Sequence, residues 1–236
     1  MMNFNLFKKI AYLCKISIEA IQLPSVNLHF RTSANNPDIA ETFLHFTKLH
    51  PRYKLIRNKS LGMALVDLRG YSDRDAYLSS ISRKDQGFYH GKRATRRGFI
   101  FSEIDQNLYI DDIHAINTSI NERQGRPMDS AYLEKPAFYE KKPHLRYFGI
   151  LDANGKLVAY CNIATYGNFS ATDRLLGYKN SDGIMYLLIM EIICNLIEEN
   201  QVRYLMYDTF LGAKEGLRNF KRRLGFQPYR VRYFLN

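Results

Sequence analysis

Residues 216–226 read Gly-Leu-Arg-Asn-Phe-Lys-Arg-Arg-Leu-Gly-Phe. They form the body of a basic amphipathic helix, Lys214 to Leu224, which Gly225 breaks before a final strand from Pro228 to Leu235. Working outward, Arg203 to Tyr207 is a short strand. Before it, Gly183 to Glu199 is a strongly apolar helix, with Ile184, Leu187, Leu188, Ile192 and Leu196. Arg174 to Asp182 reads as a polar loop. Leu145 to Asp152 and Lys156 to Thr165 flank Ala153-Asn154-Gly155 and predict a β-hairpin. A helix between two strands favours a parallel pair, so this half predicts a mixed sheet with helices packed on its faces.

The first half is less sharply patterned. Val26 to Arg31 alternates like a strand. Asn36-Pro37 opens a helix to His50 with Ile39, Phe43, Phe46 and Leu49 on one face. Tyr53 to Arg57 and Met63 to Leu68 predict a strand pair around Asn58 to Gly62. Ser72 is placed to cap a helix. Arg83 to Arg97 is dense in basic residues, Gly98 to Ile104 reads as a strand, and Tyr109 to Glu122 is helical. Residues 1–24 read as an amphipathic helix, and residues 25–236 as a single domain. Lys8, Lys9, Lys15 and Glu19 break residues 1–23 too often for a bilayer span. Docking on the domain and lying on a membrane surface both fit that helix.

The 236 residues suffice for a sizeable core. A net charge of +11 and 32 Tyr plus Phe point to an anionic partner, such as nucleic acid, a phosphorylated co-substrate or a membrane surface. Three dispersed cysteines argue against a disulfide framework and for a reducing, cytoplasmic setting. The six histidines lack ligand spacing, so no metal is expected.

The strand and helix order over residues 145–233, with the Phe220-Lys221-Arg222-Arg223-Leu224-Gly225-Phe226 ending, resembles the GNAT acyltransferase superfamily. It is closest in pattern to the Fem-type, aminoacyl-tRNA-dependent members. The resemblance implies an α/β fold: a mixed central sheet with splayed middle strands and helices on both faces. The gap admits an acyl donor, either acyl-CoA or aminoacyl-tRNA as co-substrate, with no permanently bound cofactor. The helix after the hairpin would offer its N-terminal amides to the donor. CoA-binding members carry two closely spaced glycines there. This chain reads Tyr178-Lys179-Asn180-Ser181-Asp182-Gly183-Ile184-Met185, with one glycine and a carboxylate, a departure that points toward the Fem-type pattern.

The expected reaction moves an acyl or aminoacyl group onto an amine acceptor. Asp208 and Tyr207 follow a strand end where clefts form, and Asp208 is suited to hold or deprotonate the amine. Tyr160 is a candidate oxyanion donor. Lys179, Ser181, Gly183, Ile184, Lys221 and Arg222 are the donor-side candidates. Asp111 and Asp112 can bind a cationic amine. Ser119, Arg123, Gln124 and Arg126 form a dense polar run whose arginines can clamp phosphate or carboxylate. Lys92, Arg93, Arg96 and Arg97, near Phe88 and Tyr89, suit a nucleic-acid backbone. The alternative is a non-catalytic nucleic-acid-binding module on a degenerate GNAT scaffold.

Overall fold

The computed structural model describes residues 22–31, 37–51, 54, 56–84, 87–123, 126–180 and 182–236. The helix expected over residues 1–24 lies outside them except for 22–24, which are not helical. The strands are β1 (Ser25–Phe30), β2 (Leu61–Asp67), β3 (Ile100–Glu103), β4 (Glu122–Arg123), β5 (Arg126–Pro127), β6 (Leu145–Leu151), β7 (Leu157–Thr165), β8 (Phe169–Gly177), β9 (Tyr204–Thr209) and β10 (Gln227–Leu235). The helices are α1 (Pro37–Thr47), α2 (Arg74–Lys84), α3 (Gly87–Arg96), α4 (Ile110–Thr118), α5 (Ser130–Leu133), α6 (Ile184–Glu199) and α7 (Glu215–Arg223). Eight strands make one sheet in the order β1-β10-β2-β9-β8-β7-β6-β3, and β4 pairs with β5 in a separate two-residue ribbon. The β1–β10 and β8–β9 pairs are parallel, and the rest are antiparallel.

Strand sequences explain their placement. β2 is apolar on both faces: Met63 and Leu65 point into one cluster, Ala64 and Val66 into another. Such a strand must lie inside a sheet covered on both sides, and β2 indeed sits between β10 and β9. Among the described residues β2 does not pair with the expected Tyr53 to Arg57 strand, because β9 and β10 take both its edges. Tyr53 and Leu55 lie outside the described residues, and Arg57 only bridges Leu49.

One face carries α6, whose Leu188, Ile189, Ile192, Ile193 and Cys194 are fully buried, together with side chains of α2, α3 and α7. The other face carries α1 near the β1 edge, where Phe30 stacks edge-on against Phe43 and Phe169. Further along, Ile113 and Ile116 of α4 pack on Leu157, Tyr160 and Leu176. Glycine sets the helix spacing: a Cβ at Gly87 would lie 2.1 Å from the Arg223 carbonyl oxygen, so α3 and α7 meet backbone to backbone.

Three further expectations need correction. Arg174 to Asp182 is not a loop throughout, because Phe169–Gly177 is strand β8. Its centre, Thr172-Asp173-Arg174, breaks the apolar alternation because a bulge lies there. The cap of α2 is Asp73 rather than Ser72: its carboxylate accepts from the Ala76 amide at 2.8 Å, while the Ser72 hydroxyl donates to Asp73. The helix expected over Tyr109 to Glu122 ends at Thr118, where Ser119 turns its amide onto the Ile116 carbonyl. Among the described residues no helix is long and apolar enough to cross a membrane.

Candidate active site

The parallel strands β8 and β9 share only three register pairs, Phe169↔Tyr204, Ser170↔Leu205 and Ala171↔Met206. Beyond Ala171, β8 follows β7 alone. The cause is local. The β7–β8 register jumps from Ile163↔Thr172 to Cys161↔Leu175, so two residues of β8, Asp173 and Arg174, oppose the single Asn162. A bulge bends the strand that carries it, and here the bend begins where β8 leaves β9. The middle of the sheet is splayed, as expected.

On the far side of the gap, β9 runs on through Tyr207, Asp208 and Thr209. Past its last pair with β8, its carbonyls need another donor. Lys221 of α7 supplies one, its ammonium lying 2.6 Å from both the Tyr207 and the Thr209 oxygens and 4.3 Å from the Tyr207 ring centre. The side chain is 1% exposed. Burial pulls its pKa down to about 8, opposed by Asp208 and reinforced by Lys59.

Asp208 adopts a left-handed backbone, φ 47°, and its half-exposed carboxylate is ion-paired to Lys59. Burial raises the Asp208 carboxyl pKa, but Lys59 and Lys221 outweigh that and hold it below the usual value. The four groups Lys59, Tyr207, Asp208 and Lys221 thus form one charged cluster beside the gap. Lys59 was not visible in the sequence as a site residue, since it sits in a polar turn whose contact with Asp208 spans most of the chain.

At the end of β8, the chain turns through Tyr178 to Asp182 into α6. Gly183 sits at φ 89°, and a Cβ there would lie 2.2 Å from the His90 carbonyl oxygen. The glycine is therefore required by backbone conformation and by the packing of α3, whatever binds nearby. Asp182 is ion-paired to Arg97, so its charge is compensated. The His90 ring stacks on Tyr186 at 4.6 Å and Tyr186 packs on Phe220 at 4.6 Å, joining α3, α6 and α7.

The remaining sequence candidates scatter. Ile184 is buried in the core, Lys179 is exposed, and Ser181 lies outside the described residues. Arg222 donates to Asn219 at 2.8 Å on the outer surface of α7. Tyr160 is not brought to Asp208: it lies in the α4 cluster, and its hydroxyl donates to Asn117 at 2.7 Å. Burial pushes its pKa well up. Asp111 is paired with Lys135, and Asp112 accepts from the Leu157 amide at 3.0 Å, so the two carboxylates serve different partners. The Ser119 hydroxyl donates to the Ile116 carbonyl. Arg123 and Arg126 are register partners in the β4–β5 ribbon, and Gln124 lies outside the described residues. Among the described residues no group of three His, Cys, Asp or Glu side chains is placed to hold a metal.

An α/β sheet opened between parallel central strands, with a helix N-terminus at the mouth, defines the GNAT fold, and this chain has it. In its particulars it is similar to the solved structure of FemX, 10% identical, with a TM-score of 0.55 over 71% of this chain and 59% of that one. It also matches the C-terminal domain of a putative lysylphosphatidylglycerol synthetase from Agrobacterium fabrum, with 16% identity, a TM-score of 0.48 and coverages of 70% and 57%. A third match is L-PGS from Bacillus licheniformis, with 16% identity, a TM-score of 0.44 and coverages of 72% and 61%. The chain thus spans less than two thirds of each of these chains. No family model and no curated protein matches it.

Proposed function

We propose that this protein transfers an acyl or aminoacyl group from a thioester or tRNA ester to an amine, with the donor carbonyl held in the gap between β8 and β9. The observation that carries this reading is the buried Lys221 ammonium at the open edge of β9. A positive charge fixed in a water-poor setting stabilises negative charge developing on a carbonyl oxygen. With a pKa of about 8, the same group can also give a proton to the departing oxygen or sulfur near neutral pH.

In the reaction the amine nitrogen bonds to the carbonyl carbon and the C–O or C–S bond of the donor breaks. The leaving group departs as alcohol or thiol with a proton from Lys221, which regains one, by way of solvent, from the nitrogen once that nitrogen has bonded to the carbonyl carbon. Asp208, held ionised, acts here less as a base than as the group that positions Lys59 and keeps Lys221 charged. Acceptance of an aminoacyl-tRNA fits the net charge of +11 and the basic side chains that α3 and α7 bring to one seam.

The test is to incubate the protein with mixed amines and either acyl-CoA or charged tRNA, and to follow the N-acyl product by mass spectrometry. Product from one donor is expected, with a loss of roughly a hundredfold or more in Lys221→Met, as for other oxyanion-stabilising groups. Absence of product from either donor, with salt-sensitive nucleic-acid binding intact, would replace this reading by the binding-module one.

A further inference from the structure

The bulge that opens the sheet also carries two charges that stand outside the ion pairs among the described residues, Asp173 and Arg174. Arg174 is half-buried, with its guanidinium carbon 5.0 Å from the centre of the Tyr132 ring. A half-buried guanidinium over an aromatic ring and outside any ion pair is suited to take a carboxylate.

Its surroundings extend this into a polar strip. On the α1 and α4 face of the sheet, Ala164 belongs to one apolar cluster and Tyr160 to another. Asn162 lies between them on the same strand and, by alternation, on the same face. Its register partner Tyr147 on β6 shares that face, and the bulge residues oppose it on β8. Asn162 and Gln106 are 5% and 4% exposed, and each makes one side-chain hydrogen bond, to the other at 2.9 Å. A polar strip therefore crosses the sheet between two apolar clusters, from Tyr147 through Asn162 to Asp173 and Arg174, and ends where β8 leaves β9. The charge pattern agrees: Arg174 influences Tyr139 and Tyr160, and Asp173 influences His144 and Tyr147, so the β8 end of the strip presents both signs of charge side by side.

We propose that this strip binds the amine acceptor, and that the acceptor is zwitterionic: a free amino acid or short peptide whose carboxylate meets Arg174 and whose ammonium meets Asp173. A neutral amine or a polyamine would leave Arg174 unpaired. The transferase reading supplies the reason for binding, but the binding itself is measured without it.

The experiment is calorimetry and thermal shift on the full chain with the common free amino acids and alanyl-alanine, repeated with the C-amide and N-acetyl form of each compound that binds. At least one zwitterion raises the melting temperature, while its C-amide and N-acetyl forms bind roughly ten- to a hundredfold more weakly. In Arg174→Gln the preference over the C-amide is lost, and in Asp173→Asn the preference over the N-acetyl form is lost. Arg174→Lys, which keeps the charge, retains part of the first. Equal binding of all forms, or no binding of any zwitterion to the wild type, overturns the proposal. Transfer to amines without zwitterion preference removes this inference and leaves the transferase. Zwitterion binding without transfer from any donor does the reverse.

Discussion

The Lys221 ammonium donates to the Tyr207 carbonyl at 2.6 Å while standing 4.3 Å from the centre of the same residue's ring. One residue thus holds the buried charge from two sides. Its pKa falls from 10.5 in the open chain to about 8 in the fold. Between those values the unfolded chain binds more protons, so stability rises with pH over that window. The full effect is ~3 kcal/mol at 1.36 kcal/mol per pH unit. Denaturant titrations from pH 7 to 10.5 should show this rise in the wild type and its absence in Lys221→Met.

Asp208→Asn keeps the left-handed backbone within reach, because Asn tolerates that region better than most residues. It removes the anion that supports the charged form of Lys221. The stability rise should then begin below pH 8, and any acyl transfer should lose its charged Lys221 at a lower pH. Asp208→Ala adds roughly 1 kcal/mol of backbone strain on top. Comparing pH profiles of the two variants separates the charge from the conformation.

Gly183→Ala places a Cβ 2.2 Å from the His90 oxygen and forces a side chain into φ 89°. Both effects act in the same direction, and a loss of about 3 kcal/mol or more is expected. Gly87→Ala meets the Arg223 oxygen at 2.1 Å without the dihedral penalty. It should therefore lose less, and urea midpoints of the two variants rank them.

Arg97→Gln leaves Asp182 unpaired beside the start of α6. The ion pair is partly exposed, so stability should change by less than about 1 kcal/mol. Affinity for the proposed anionic donor should fall more clearly, since an uncompensated carboxylate then stands at the start of α6. The double variant Arg97→Gln with Asp182→Asn should restore most of the affinity. Donor titrations at low and high salt test this.

Tyr160→Phe removes the hydroxyl that the buried Asn117 oxygen accepts from. The unsatisfied amide should cost ~1–3 kcal/mol in stability. Transfer should continue at near wild-type rate, because the hydroxyl faces α4 and not the charged cluster. A rate loss far larger than the stability loss would return Tyr160 to the chemistry.

Much of the fold was readable where periodicity was strong. The apolar run from Ile184 to Glu199, the hairpin around Asn154-Gly155 and the basic helix before Gly225 all stand close to their expected bounds. β8 was missed because Asp173 and Arg174 carry charge into the middle of a strand, and only the bulge makes that tolerable. The partners of β2 were missed because β9 and β10 come more than a hundred residues later, beyond any local signal. Within the candidate site, the sequence singled out Lys221 through the family pattern, as a donor-side residue, and Asp208 through a strand end. Lys59 depends on a contact across 149 positions that no spacing rule reveals. Asp111 and Asp112 looked like a pair because they are adjacent, but successive helical residues point in different directions.

The pairing of β1 with β10 sets an order of events in synthesis. Ser25 aligns with Arg230, so the earliest strand of the sheet waits for the latest one. Loops that long close late and slowly. While the chain is on the ribosome, β1 lacks its parallel neighbour, and the apolar Leu28 and Phe30 have only part of their cover, from partners such as Phe43 and Phe169, until β10 emerges. Nascent chains should therefore depend on holding factors until translation passes β10, and a stop codon placed before Gln227 should yield aggregate rather than a slightly shortened fold.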